Sequence, residues 1–324
     1  MSSTNNSLYS GVPDYRSIID KNNLSYLEFR KTLSPKYLII FRDTFFILLM
    51  IAIPFFFSKK FYSSNIFYIL FSSVWIGFWL HSYKLFFHEV AHFNISPIRK
   101  INDLLGYILF FPFVGIALKQ YRTSHWMHHK HLGTIADTEI SYYKPITINS
   151  LFEGISGIYL YKSFLRYFSR FNEKKVKDSL PRVNNFLLNL GIMLFFQFFL
   201  VIILYSCLSK YVAFSYILAF FLIEPFFSGL RQTLEHRSFD AKNNIDYKSN
   251  NHGPINRLFN HNIFSIYFGS AGFNSHLIHH FDPFISYTRF RDIELYLLNS
   301  DYEYFIRNNK TSYFSAFRKL FKAR

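Results

Sequence analysis

Residues 186–208 read FLLNLGIMLFFQFFLVIILYSCL, a run of 23 residues without a charged side chain. A helix needs about 20 mostly apolar residues to cross a bilayer, so this run is long enough to span one. Residues 211–230, YVAFSYILAFFLIEPFFSGL, follow almost at once and carry a single carboxylate, Glu224. Upstream, residues 66–87 are apolar apart from a few serines, His81 and Lys84, and residues 44–58 form a shorter block, TFFILLMIAIPFFFS. Four such blocks in one chain argue against the buried core helices of a soluble protein. They predict four transmembrane helices in two hairpins. A carboxylate inside an apolar run is a functional candidate, so Glu224 is one, with snorkelling or helix pairing as its alternatives.

Between the hairpins lies LLGYILFFPFVGIAL, residues 104–118, which is short for a crossing and interrupted by Pro112 and two glycines. It reads as a re-entrant or interfacial segment. The chain then divides into a polar N-terminal segment (1–40), a membrane part (44–230) and a polar C-terminal part (231–324), all within one domain spanning 1–324.

The formal net charge is +16. No nucleic-acid motif accompanies it, so nucleic acid is not expected as a partner. Of 36 Lys and Arg, only Lys59, Lys60 and Lys210 fall in the two short hairpin loops. That bias puts both termini on the cytoplasmic side. Residues 1–37 lack a signal-peptide core, so the first helix is expected to remain as an uncleaved anchor. Cys207 is the sole cysteine, which excludes internal disulfides, cysteine-ligated clusters and C-x-x-C redox chemistry.

The histidines carry the chemistry. HEVAH holds His88 and His92; SHWMHH holds His125, His128 and His129; NSHLIHHFDP holds His276, His279 and His280. Chance would supply roughly 0.02 copies of H-x-x-H-H at this histidine frequency, and the chain has two. Imidazole nitrogen suits iron, copper, nickel and zinc, and i, i+3, i+4 spacing projects three rings from one helical face. Alone, HEVAH fits a zinc protease, with Glu89 as its base. Eight histidines, however, exceed the four ligands of one zinc and suit two metals with room for oxygen or water. A shared centre needs every box on one side of the membrane, which the re-entrant reading of 104–118 supplies. His81, seven residues before His88, reads as a cavity-lining residue or an outer support for a ligand, with core packing as the alternative. His131 reads as a loop residue, and His252 and His261 read as surface.

The order HEVAH, SHWMHH, NSHLIHHFDP, after paired apolar helices, resembles the membrane fatty acid desaturase family over about residues 80–287. The resemblance implies an all-α integral membrane protein with a cytoplasmic helical cap carrying three histidine boxes. It also implies a non-haem di-iron centre and insertion of a double bond using O2 and two electrons. Asp137 and Glu139 stand where that family carries carboxylates after its second box, and Pro283 stands where a proline often follows the third. His276 in place of glutamine argues against the front-end branch, and the first-box gap is closer to the acyl-lipid type. No His-Pro-Gly-Gly occurs, so no cytochrome b5 domain is fused to the chain. His236, beyond the fourth block, stands where desaturase-like proteins place an additional histidine ligand. Glu89, Asp137, Glu139, Glu235 and Asp282 are candidates to orient ligand imidazoles from behind.

The reading is therefore an O2-dependent lipid or fatty acyl desaturase with two iron ions, in a bacterial inner membrane or the endoplasmic reticulum. Its electrons would come from a separate ferredoxin or cytochrome b5. The alternatives are a hydroxylase or ketolase with the same iron site, an intramembrane zinc peptidase using HEVAH, and a metal-binding membrane protein without catalysis.

Overall fold

The computed structural model describes residues 17–58, 66–158, 161, 162, 165 and 183–322. Lys59 and Lys60 of the first hairpin loop lie outside the described residues. The chain is mostly helical. After α1 (Tyr26–Lys31), the first apolar block forms α2 (Tyr37–Phe57). The second forms α3 (Ile66–Lys84), which continues through Leu85 into α4 (Phe86–Ala91). The interrupted block forms α5 (Arg99–Leu105), a π-turn (Gly106–Phe110) and α6 (Phe111–Val114), followed by α7 (Leu118–His131) and α8 (Ile148–Ile155). The last two blocks form α9 (Val183–Cys207), α10 (Lys210–Leu218), a second π-turn (Ala219–Ile223) and α11 (Glu224–His236). Both π-turns end two residues before a proline, Pro112 and Pro225, which lacks the N–H that a regular helix needs there.

Four stretches are long and apolar enough to cross a membrane: 37–57, 66–91, 186–207 and 210–236. In the first and third only 17% and 11% of the most apolar stretch is buried, against 56% and 39% in the second and fourth. The inner pair is therefore α3 against α10–α11, and α2 and α9 turn aromatic rings such as Phe41, Phe56 and Phe195 outward. Gly77 permits this contact, since a Cβ there would stand 2.5 Å from Ile223 Cγ2.

Near the histidine end of the inner pair, Lys84 Nζ donates to Glu224 Oε2 at 2.6 Å, and Ser228 Oγ donates to Glu224 Oε1 at 2.7 Å. Glu224 thus ties two helices together, the pairing role among those its sequence position left open. His81 takes the core-packing alternative. Its Nδ1 pairs with Ser228 Oγ and its Nε2 with Phe268 O, both at 3.0 Å, and its ring packs against Phe227 and Phe268. Both nitrogens are committed to helix packing, and none is left for a ligand.

The segment 99–131 turns through 81° between Val114 and Leu118, at Gly115 with φ +70°. Only glycine adopts that backbone without strain. The turn brings α7 back toward α4.

The C-terminal part forms α12 (Ile263–Phe268), α13 (His276–Phe281), α14 (Phe290–Leu298), α15 (Glu303–Asn308) and α16 (Tyr313–Lys322). It is not wholly helical: β1 (Leu258–Phe259) pairs in parallel with β2 (Lys310–Thr311). The N-terminal segment is also more than a polar lead. Ile18, Tyr26 and Leu33 are buried against Leu277, Phe281, Ile293 and Tyr296, and Asp20 bridges to Ser300.

Candidate metal centre

Each histidine box lies at a helix end or on a short helix, with its rings buried. His88 is on α4, and His92 caps its C-terminus. His125, His128 and His129 lie on α7, His236 ends α11, and His276, His279 and His280 lie on α13. None of the nine is more than 9% exposed.

The rings sort into two groups that share no residue. His88, His92, His125, His129 and His279 form one, and His128, His236, His276 and His280 the other. Within each group the candidate ligand atoms lie within 4.8 Å of one another. Nε2 atoms face Nε2 atoms at close range: His88 to His279 at 3.0 Å, His279 to His129 at 2.9 Å and His129 to His125 at 3.0 Å. In the second group, His276 faces His236 at 2.9 Å and His280 at 3.1 Å.

Such convergence suits a cation. Two nitrogens at right angles, each about 2.1 Å from one ion, stand about 3.0 Å apart. Nε2 of His128 and both nitrogens of His92 are buried without a hydrogen-bond partner among the described residues, and on each neutral ring one nitrogen carries a lone pair that a metal would take. Burial, reinforced by neighbouring rings, pushes His129, His276, His279 and His280 well below the ordinary imidazole value. They are therefore neutral at physiological pH, the state that binds metal. The donor set, nitrogen-rich and free of cysteine, fits iron as it fits copper, nickel or zinc.

Carboxylates behind the rings fix several tautomers. His128 Nδ1 donates to Asp137 Oδ1 at 2.8 Å, and His125 Nδ1 to Glu139 Oε1 at 2.8 Å. Burial alone would raise the Glu139 carboxyl, but the neighbouring His128 imidazole and the bond from His125 hold it well below the usual range. Glu89 Oε1 stands 3.5 Å from His88 Nδ1, and Glu235 Oε2 stands 4.0 Å from His276 Nδ1. His236 Nδ1 donates instead to the carbonyl of Ile255, at 2.8 Å. Asp282 is placed differently. Its carboxylate accepts from Tyr26 Oη at 3.0 Å and from Arg30 Nε at 2.5 Å, so it anchors the N-terminal segment instead of a ring.

Further side chains hold these carboxylates in turn. Tyr142 Oη donates to Asp137 Oδ2 at 2.5 Å, and Gln232 Nε2 to Glu139 Oε2 at 2.5 Å. Asn94 Nδ2 and the Tyr287 backbone N–H donate to Glu89 Oε2 at 3.2 and 3.3 Å, and Arg231 pairs with Glu235. Gln232 and Glu139, and Tyr287 and Glu89, are far apart in the chain, so only the fold joins them, whereas the other three pairs lie within five residues of each other.

Among the histidines outside the two groups, His131 and His252 depart from expectation, while His261 is on the surface as expected. His131 is the last residue of α7 instead of a loop residue. His252 is half-buried, accepts from the Ser238 N–H at 3.1 Å and packs against Tyr142, Tyr143 and Tyr247. His261 is exposed, but its Nε2 bonds Glu294 Oε2 at 2.9 Å. Neither is an idle surface residue.

A helical protein with four candidate membrane spans and two histidine groups that could each hold a metal fits the class of integral-membrane metal-binding proteins. The family model described as fatty acid desaturase matches residues 63–310, more than half of the chain, and the chain belongs to that family. No curated protein matches it.

Proposed function

We propose that the protein is an O2-dependent lipid or fatty acyl desaturase whose nine histidines hold two iron ions. The observation that carries this reading is the division of the buried histidines into separate groups of five and four. HEVAH supplies only two of the nine, so a single-zinc peptidase leaves seven unexplained. Glu89 also faces His88 and is bonded from behind by Asn94 and Tyr287, the posture of an orienting carboxylate.

The overall reaction converts CH2–CH2 into CH=CH, with O2, two electrons and two protons giving two waters. The bound iron would supply oxygen activation. The chain's own residues then have defined tasks. His88, His92, His125, His129 and His279 would hold one ion, and His128, His236, His276 and His280 the other. Asp137 and Glu139 keep Nδ1–H on His128 and His125, leaving Nε2 free to bind. The burial of all nine rings limits the access of water to the chamber.

A cleft of about 440 Å3 beside the chamber suits the substrate. Phe46, Ile47, Phe86 and Ala271 give it apolar walls, with Arg42 and Asp43 at its polar end. That combination fits an acyl chain bearing a polar head. In this reading 104–118 dips into the membrane and returns, because the 81° turn places His125 beside His88. The three boxes and both termini then face the cytoplasm, with the C-terminal part as a cap over the boxes.

Expression in a host lacking desaturases, followed by mass spectrometry of total lipids, tests the reaction. The expected result is a lipid lacking two hydrogens, absent with His128→Ala. A hydroxylated product, or unchanged lipids from an iron-loaded chain, would overturn the desaturase assignment.

A further inference from the structure

The desaturase reading requires two electrons per turnover, and the sequence supplies no cysteine pair or cluster to store them: its one cysteine, Cys207, ends a candidate span far in sequence from every box. The electrons must enter from another molecule at a place where the surface comes close to the histidines. A cleft of about 470 Å3 is such a place, lined by His92, Phe93, Arg99, Trp126 and Phe284.

Aromatic rings form a continuous line from this opening inward. Phe284 is 60% exposed, and its ring centroid lies 5.0 Å from that of Trp126. Trp126 in turn lies 5.2 Å from His92 and 5.5 Å from His129, one ring from each of two boxes. No other described tryptophan has a ring contact with a box histidine.

The rim is basic. Arg99 and Lys100 are exposed at the start of α5, and Lys119, Arg122, Trp126 and Lys130 recur every three to four residues along one face of α7. The nearby carboxylate, Asp103, is already taken by Arg122 at 2.8 Å. Arg99 and Arg122 both stack on Phe93, 4.8 and 3.8 Å from its ring centre, and Phe93 holds φ +61° directly after His92. Strained backbone of this kind concentrates at functional sites. The stacking fixes two guanidinium groups beside the opening before any partner arrives.

We infer that the Arg99–Trp126–Phe284 face is the docking site of a small acidic one-electron carrier protein. Phe284 is its apolar anchor, Arg99 and Lys130 are its charged rim, and Trp126 is the floor that meets His92 and His129. Each encounter oxidises one reduced carrier by one electron, so two encounters supply the pair that the proposed reaction consumes. An apolar centre within a charged rim is the usual anatomy of a specific interface, with the rim governing encounter rate and salt dependence.

Binding tests this separately from catalysis. The full chain as purified, in phosphatidylcholine nanodiscs, is titrated with an acidic [2Fe–2S] ferredoxin and, in parallel, with the soluble domain of cytochrome b5. At least one should bind saturably. Joint Arg99→Glu and Lys130→Glu substitution should weaken that binding about tenfold and flatten its salt dependence. Phe284→Ser should weaken it about fivefold. Lys248→Glu, in an exposed turn, should leave it unchanged. Saturable binding by neither carrier, or equal losses at Lys248, would overturn the proposal. So would charge reversals that change only the co-purifying phosphatidylglycerol, since the face would then belong to lipid headgroups. Product analysis of wild-type protein decides the desaturase reading independently of these affinities.

Discussion

Replacing Asp137 with asparagine should empty one metal site and spare the other. Four donors converge on this buried carboxylate. Oδ1 accepts from His128 Nδ1 and the Glu139 backbone N–H, both at 2.8 Å; Oδ2 accepts from Gly133 N–H at 3.1 Å and Tyr142 Oη at 2.5 Å. An amide offers one oxygen, and two of these donors must then face its NH2. The less costly orientation turns the nitrogen toward Tyr142, whose hydroxyl can rotate to accept. Gly133 N–H keeps its other bond, to Tyr142 Oη at 2.9 Å. About one buried donor is left poorly satisfied, which costs about 1–3 kcal/mol of stability. His128 keeps its Nδ1–H tautomer but loses the negative charge behind it. Loss of such outer support lowers metal affinity about 10–100-fold, or about 1.4–2.8 kcal/mol. His128 belongs to the four-histidine group, so that ion should leave first under graded chelator while the five-histidine group retains its own. Elemental analysis after dialysis against increasing chelator reads this as a plateau at half the wild-type metal. Wild-type chelator resistance in Asp137→Asn, or equal loss from both groups, would refute the argument.

Other substitutions test neighbouring parts. His236→Ala leaves three ligands in the four-histidine group and should halve iron content and abolish turnover while the chain still inserts in the membrane. Glu224→Gln strips Lys84 of its counter-charge and should destabilise the helix pair by about 1–3 kcal/mol in detergent melts, with metal content unchanged. Glu294 gives a pH signature. Burial would raise its carboxyl, but bonds from His261, Lys310 and Arg291 hold it down to about 2 against an ordinary 4.5. Its stabilising contribution is therefore present above pH 4.5 and lost as pH falls toward 2. Of order 3 kcal/mol is at stake, and Glu294→Gln should flatten wild-type acid unfolding in that window. His252→Ala should destabilise the 238–253 turn and loosen the packing on Tyr142, so it is unsuitable as a silent control.

The membrane helices and the boxes were legible because their signals are local. Twenty apolar residues or three histidines at helical spacing carry their meaning within one or two turns. His236 was legible from its place beyond the fourth span. The allocation of histidines to two groups was not, since it mixes boxes: His128 and His129 are adjacent in sequence yet belong to different groups. Helical rotation of about 100° per residue separates their rings. Asp282 misled because proximity to His280 in sequence says nothing about which way a carboxylate turns, and Arg30 arrives from 252 residues away. The N-terminal segment was hidden for a similar reason. Ile18 and Tyr26 stand in isolated apolar pairs, Ile18–Ile19 and Tyr26–Leu27, within a polar run, with no periodicity to announce that they pack on the cap. His81 shares a helical face with His88, but Ser228 and Phe268, distant in sequence, occupy both its nitrogens.

The central claim is that one chain holds two iron ions in separate histidine groups. Elemental analysis and Mössbauer spectroscopy of protein purified from iron-replete cells measure this directly. The account predicts two irons per chain in nitrogen-rich sites, falling to one in His236→Ala. One zinc per chain, lost on His88→Ala and unaffected by His236→Ala, would contradict it.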